Sequence, residues 1–371
     1  MHVISERTDL RDTYVLVRSS CNVPLEDGEV RNAFRLERAL PTLRFLAEQG
    51  AKVVVVAHIG REATDTLRPV YEAFTKLLPM QWGGVLGSDE QRAVHAALRP
   101  GEVMLLENLR QDARESANDP TLAAELAALA NIYVNDAFDN IHREHASMVG
   151  VPALLPSYAG LTLAEELREL EKTMNPASPS LFILGGAKFE TKLPLIEKYL
   201  ALYDHVFVGG ALLNDILLAQ GYQVGASLVS AVSLAGAPFL NHPKLIQPVD
   251  VVVKRAGARV VVAKQAVEPD DVIVDIGPAT VAAIAPYVAA AKTILWNGPL
   301  GLYEGEPDGG TQALARAIAA ASGYSVLGGG DTIAAIEPLG LLEQFGFVSI
   351  GGGAMLTYLE HGTTPALQAL E

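Results

Sequence analysis

Leu181 to Lys192 reads LFILGGAKFETK, and the fold follows from how it is parsed. Four apolar residues make a buried strand, Gly185 and Gly186 a tight turn, and Lys188 and Lys192 would share one face if a helix starts there. Backbone N–H groups at a helix N-terminus, with ammonium groups beside them, form an anion site. Read alone, the same stretch is equally a plain strand-to-helix turn with solvated lysines.

Outward from this stretch the chain alternates. Before it, strands are expected at Tyr14–Val17, Lys52–Ala57, Val103–Leu106 and Ile132–Val134, and helices at about Phe34–Gln49, Arg68–Leu78 and Pro120–Ala130. After it, strands are expected at His205–Val208, Val249–Val253, Val272–Ile276, Thr293–Trp296, Tyr324–Leu327 and Phe347–Ile350, with Arg259–Lys264 as an antiparallel edge. Between the halves, Leu163, Leu167, Leu170 and Met174 mark an amphipathic helix that Asn175-Pro176 ends. The pattern predicts an α/β protein of two tandem doubly wound, Rossmann-like parallel-sheet domains joined by a helix.

Composition narrows the class. A chain of 371 residues, half apolar and 19% charged, is globular and long enough for two cores. A net charge of -15 disfavours a general nucleic-acid or anionic-membrane surface. The lone Cys21 excludes an internal disulfide, and MHVISERTDL lacks the apolar core of a signal peptide, so a soluble cytoplasmic protein is expected.

In such sheets ligands bind beyond the carboxyl ends of the strands. In the first half those positions are basic: Arg18 and Asn22, then His58 and Arg61, then Arg110, then His142, Arg143 and His145, with Arg35 opening a helix. In an acidic protein this reads as a converging anion pocket, because guanidinium groups bind phosphate and carboxylate bidentately. His142 and His145 have the spacing of half a metal site, but no partner ligands accompany them. In the second half the same positions hold glycine: Gly209-Gly210, Asn297-Gly298-Pro299, Gly328 to Gly330 before Asp331-Thr332, and Gly351 to Gly353. Glycines let backbone approach a phosphate, and each turn is expected to feed a helix N-terminus. Asp331 is either a helix cap or a ligand for phosphate-bound Mg²⁺. No G-x-G-x-x-G, Walker A, GxSxG or HExxH pattern occurs. A small-anion domain, a glycine-cradled nucleotide domain and two lysines make a phosphoryl-transfer arrangement.

At this point the chain resembles the phosphoglycerate kinase family along nearly its whole length. The family's R-x-D-x-N-x-P element is similar to Arg18–Pro24, H-L-G-R to His58–Arg61, L-L-E-N-x-R to Leu105–Arg110, and H-R-x-H-A-S to His142–Ser147. Its G-G-A-K-x-x-x-K matches Gly185–Lys192, W-N-G-P-x-G-x-x-E matches Trp296–Glu304, G-G-G-D-T matches Gly328–Thr332, and the last triple glycine matches Gly351–Gly353. The resemblance implies that Arg35, His58, Arg61, Arg110 and Arg143 bind 3-phosphoglycerate, with Ser20, Cys21, Asn22, Ile59 and Gly60 beside them. It implies catalytic roles for Arg35, Lys188, Gly352 and Gly353. It places nucleotide contacts at Gly186, Lys188, Lys192, Gly210, Gly277, Asn297, Glu304, Gly329, Gly330, Asp331 and Thr332, with Mg²⁺ at Asp331 and ATP/ADP as co-substrate.

Domain boundaries expected on this basis are 1–157 for substrate (joined by 357–371), 158–176 for the connecting helix and 177–356 for nucleotide. A hinge-bending monomer acting on small molecules, without nucleic-acid or membrane partners, is implied. The chain departs from the family at Ser20, where an aspartate that bonds the substrate hydroxyl is usual; losing that bond would lower affinity about tenfold to a hundredfold. Cys21 and Glu62 also depart, as does Lys254–Lys264, which lacks the family's D-x-K-F element. A paralogue kinase for another small carboxylate and a non-catalytic nucleotide-binding relative are the alternatives.

Overall fold

The computed structural model describes residues 1–187, 192–305 and 308–371, and divides into two compact units. Unit 1 holds Met1–Arg168 and His361–Glu371; unit 2 holds Glu169–Glu360.

Unit 1 is built on a six-stranded sheet of β1 (Tyr14–Ser19), β4 (Lys52–Val56), β5 (Gln81–Trp82), β6 (Val103–Leu105), β7 (Ile132–Asp136) and β8 (Ser157–Ala159). The order is β5-β6-β4-β1-β7-β8 and every pairing is parallel. A small hairpin, β2 (Leu25–Glu26) and β3 (Glu29–Val30), stands apart. Strand residues are buried on both faces, which is why these runs read as continuous rather than alternating. Val15, Val17, Val53, Val55, Val103, Leu105, Ile132 and Val134 point to one side, where they pack with Leu36, Leu40 and Leu43 of the helix Phe34–Glu48. The strand order reverses at β1 and β7. Their register pairs Ser19 with Asp136, so the segments leaving both strands start side by side.

Unit 2 contains a five-stranded parallel sheet of β9 (Ser180–Leu184), β10 (His205–Val208), β14 (Thr293–Asn297), β15 (Tyr324–Gly328) and β16 (Phe347–Val348), ordered β10-β9-β14-β15-β16. Here the reversal lies between β9 and β14, whose register pairs Leu184 with Asn297.

Beside this doubly wound sheet, Arg259–Lys264 is antiparallel as expected, but two neighbouring runs leave the parallel sheet to join it. The runs at Val249–Val253, Arg259–Lys264 and Val272–Ile276 instead form a separate three-stranded sheet, β12-β11-β13, from β11 (Asp250–Arg255), β12 (Ala258–Ala263) and β13 (Val272–Ile276), antiparallel throughout. The β11–β12 pairing follows from the turn Ala256-Gly257, with φ of 49° and 84°, which sends the chain straight back along itself as a two-residue hairpin.

The helix Leu161–Met174 forms where the apolar spacing predicts it, burying Leu163, Leu167 and Leu170. Its first turn is met by side chains: Thr42 Oγ1 accepts from Leu161 N at 2.9 Å and Asp136 Oδ1 from Leu163 N at 3.0 Å. Asp136 is fully buried, and burial pushes its carboxyl up to about 7.

Candidate active site

Two clusters lie beyond the carboxyl ends of the two parallel sheets, one in each unit. In unit 1 the residues after β1, β4, β6 and β7 come together. Arg18 is completely buried, and its guanidinium is held at every edge: Nε donates to Ser147 Oγ (2.9 Å), Nη1 to Ser19 O (2.6 Å) and Nη2 to His58 Nδ1 (2.8 Å). Ser147 is fixed in turn by the buried Glu115, which accepts from its N–H at 2.9 Å and its Oγ at 2.5 Å. Arginine offers donors only, so His58 Nδ1 accepts and the ring proton sits on Nε2. Burial, then Arg18, Arg110 and Arg143, push the His58 imidazole down to about 2, which leaves it neutral at physiological pH. His145 is pushed down to about 3 by burial and the same three guanidinium groups.

Arg110 stands among like charges. Burial first, then Arg143, Arg18 and Arg61, lower its pKa against the pull of Glu115. Its Nε and Nη2 and the Nε of Arg143 are buried with no hydrogen-bond partner among the described residues. Buried guanidinium donors crowded by like charge are the expected signature of a polyanion site.

The loop carrying His58 to Arg61 is clamped by Asn108, whose Oδ1 accepts from Ile59 N (3.2 Å) and Arg110 N (3.0 Å) and whose Nδ2 donates to Ile59 O (3.0 Å). Asn22 Oδ1 accepts from Gly60 N at 3.1 Å. Arg35, at the start of its helix, donates through Nη1 to Asn22 O. The exposed Arg61 has its N–H on Asp65 Oδ2 at 2.9 Å. Cys21 differs from its neighbours: its side chain belongs to the hydrophobic core, and burial pushes the thiol up to about 12. His142 and His145 acquire no ligand partners, and the described residues contain no group of three metal-ligating side chains.

Two placements in this cluster do not follow from the sequence. Arg18, expected among the pocket cations, lies behind His58 and orients it. Asp139, on the turn Phe138–Asn140 after β7, accepts from Ser20 Oγ and lies 3.9 Å from Arg35 Nη1. A search of strand ends for cations passes over a carboxylate.

Unit 2 gathers backbone instead. Gly185 N donates to Asn297 O (2.8 Å) and Gly186 N to Pro299 O (3.1 Å), locking the turn after β9 to the one after β14. A Cβ at residue 185 would sit 2.1 Å from Pro299 O, so only glycine fits. Gly329 N donates to Gly351 O at 3.2 Å, and a Cβ at residue 352 would lie 3.8 Å from Gly329 Cα, so the Gly328–Gly330 and Gly351–Gly353 turns adjoin. Thr332 is buried and accepts from Gly298 N at 2.9 Å, while Asp331 is exposed in the first turn of the helix Gly330–Ile336. Asn297 is buried, with Nδ2 3.5 Å from Met355 Sδ.

Lys188 lies outside the described residues. Lys192 is described, and the helix begins just after it, at Leu193, rather than around it as the spacing suggested. Its Nζ donates to Gly185 O at 2.6 Å, and burial pushes its pKa down to about 8 against the pull of Asp331. The turns also differ from expectation at Asn297-Gly298-Pro299, after which the next helix among the described residues begins at Gly310. Beside the cradle is a cavity of about 310 Å³ lined by Gly186, Gly210, Val274, Leu300, Tyr303 and Glu304 among others. Gly277 is not part of its lining; it precedes the helix Pro278–Ala290, and a Cβ there would meet the Asp250 carboxylate at 2.2 Å.

A family model described as phosphoglycerate kinase matches residues 5–362. The phosphoglycerate kinase of Thermus thermophilus is 43% identical over 382 residues, covering 98% of each chain, and that of Roseiflexus castenholzii is 42% identical over 377 residues, covering 96% of this chain and 95% of the relative. Among solved structures, phosphoglycerate kinase from Pyrococcus horikoshii superposes with a TM-score of 0.89 at 30% identity, covering 100% of this chain and 98% of that one. The enzyme from Coxiella burnetii gives 0.83 at 36% identity, covering 99% and 98%.

Proposed function

The chain belongs to the phosphoglycerate kinase family, and from that membership we propose how its residues divide the work of phosphoryl transfer. The reaction is the glycolytic step that moves a phosphoryl group between 1,3-bisphosphoglycerate and ADP, reversibly, giving 3-phosphoglycerate and ATP.

Unit 1 binds the phosphoglycerate. Its phosphate meets the densest positive charge, at Arg61, Arg110 and Arg143, with the Nε2 proton of neutral His58 as a further donor. The single observation that carries this assignment is Arg110, which keeps two buried donors unpartnered amid like charges. Arg35 holds the carboxylate that gains or loses the phosphoryl group, with Asn22 and Gly60 shaping the loops around it.

Unit 2 binds the nucleotide. The base occupies the apolar cavity with Glu304 at the ribose. The phosphates lie along the amides of Gly186, Gly210, Gly329 and Gly330 and against Lys192, while Asn297 and Thr332 brace the turns. Lys188 and the amides of Gly352 and Gly353 stabilise the transferring group, whose charge spreads over its oxygens in flight. Mg²⁺ suits a lone exposed carboxylate such as Asp331, because this ion is usually held by one or two carboxylates plus substrate phosphate. When bound it neutralises phosphate charge. No described helix is long and apolar enough to cross a membrane, and a cytoplasmic monomer suits small diffusible substrates.

A coupled assay of 3-phosphoglycerate phosphorylation by Mg-ATP tests this reading. Saturable turnover is expected. No turnover at any 3-phosphoglycerate concentration, in protein that still binds Mg-nucleotide, would contradict the assignment of unit 1.

A further inference from the structure

Asp139 is the acidic residue that the anion cluster of unit 1 does not explain. The other nearby carboxylates have structural work. Glu115 takes Ser147 N and Oγ, and Asp65 takes the backbone N–H groups of Arg61 and Glu62, both at 2.9 Å. Asp139 is placed differently. Its Oδ1 accepts from Ser20 Oγ and from Asn140 Nδ2 (2.7 Å), and its side chain is only 8% exposed. Its Oδ2 faces Arg35 Nη1 at 3.9 Å, longer than a hydrogen bond. The Ser19–Asp136 register brings Ser20 and Asp139 out of adjacent strands at the point where the strand order reverses, which is where such sheets hold ligands.

A negative charge weakens an anion site unless it does something the cations cannot. Arginine side chains only donate. They recognise the phosphate and the carboxylate of 3-phosphoglycerate but leave its one hydroxyl donor, beside the carboxylate, without an acceptor. We infer that Asp139, held in place by Ser20, accepts the hydrogen bond of the substrate's 2-hydroxyl and makes this site selective for a hydroxy acid. Ser20 is the positioning residue: it donates its own proton to Oδ1 and so turns the carboxylate toward Arg35. The inference rests on reading unit 1 as the 3-phosphoglycerate site, and it accounts for how the chain orients its substrate with a serine at position 20.

The test compares kcat/KM for 3-phosphoglycerate with that for 3-phosphopropanoate, which has the same phosphate and carboxylate and lacks the hydroxyl. Native protein should prefer the hydroxylated substrate by about tenfold to a hundredfold, the range of one hydrogen bond to a charged group. Asp139→Ala should lose most of that ratio, chiefly through KM, and Asp139→Asn, which keeps a neutral acceptor, should retain part of it. Ser20→Ala removes only a hydroxyl and should lower the ratio by about threefold, the lower range of a net hydrogen-bond contribution. It also keeps the inference testable if the Asp139 variants fail to fold. Equal losses on both substrates, or a native-like ratio in Asp139→Ala, would overturn the inference; so would an unchanged ratio in Ser20→Ala, should that be the variant that folds. Native protein that turns over neither substrate would instead overturn the reading of unit 1 itself.

Discussion

In unit 1 the cluster beyond β1 and β7 is built of side chains: burial, with Arg18, Arg110 and Arg143 close by, keeps His58 and His145 neutral, and burial with Arg143, Arg18 and Arg61 depresses Arg110. In unit 2 the crevice beyond β9 and β14 is lined by main chain, where Gly185, Gly186, Gly298 and Gly329 bring backbone against backbone and Lys192 is the described cation among them. Both sites exploit the same reversal of strand order. The difference suits the ligands proposed for the two units: a small acid with charge at two ends fits fixed guanidinium forks, whereas a polyphosphate fits a row of amides that can approach it closely.

The largest effect is expected at Lys188, the lysine proposed to stabilise the transferring group. Lys188→Ala should lower kcat by at least about a hundredfold, as expected for loss of charge stabilisation on the transferring group. Near-normal single-turnover rates would show that the amides alone suffice.

Removing one fork comes next. Arg35→Ala should weaken 3-phosphoglycerate binding by about tenfold to a hundredfold, the range of a charge-assisted hydrogen bond. Equilibrium titration would check this.

Crowding the backbone is a third route. Gly185→Ala drives a Cβ into Pro299 O and should destabilise unit 2 by about 1–3 kcal/mol, the usual range for overpacking. Thermal melts should show the loss, with Mg-ADP affinity falling alongside it.

The smallest effect is on pH. The Lys192 ammonium loses its proton near pH 8 in the folded protein, so Mg-ADP affinity should decline as pH rises past that value and be flat there in Lys192→Met. The unfolded chain keeps this proton up to about 10.5, so the stability of ligand-free protein should rise between pH 8 and 10.5. His58 carries the opposite lesson. Its folded pKa near 2 lies below the ordinary 6.5, so it contributes stability that is lost as pH falls below 6.5 and adds no pH dependence to substrate binding above it.

Much of this contrast was legible in the sequence, for reasons that also mark where it stopped. Val53–Val56 and Leu181–Leu184 are buried on both faces, so they read as strands without ambiguity, and the residues following them are where a parallel sheet must place its ligands. The antiparallel edge at β12 is legible, but β11 and β13 read like strands of the parallel sheet because a β-branched run looks the same whichever way it pairs; Ala256-Gly257 marks the reversal between β11 and β12. A strand as short as β5 carries too few residues for any period to show. At the site, Ser20 looked like a loss because its partner lies 119 positions away and meets it only through the β1–β7 register. Arg18 looked like a pocket residue because burial behind His58 is a property of packing, not of pattern.

The division of labour between the two units is tested most directly by calorimetric titration of 3-phosphoglycerate and of Mg-ADP into native protein, Arg110→Ala and Lys192→Met. Each variant should lose affinity for one ligand by tenfold or more while holding the other within about twofold, as independent sites do. An Arg110→Ala protein that loses Mg-ADP as severely as 3-phosphoglycerate would contradict the account.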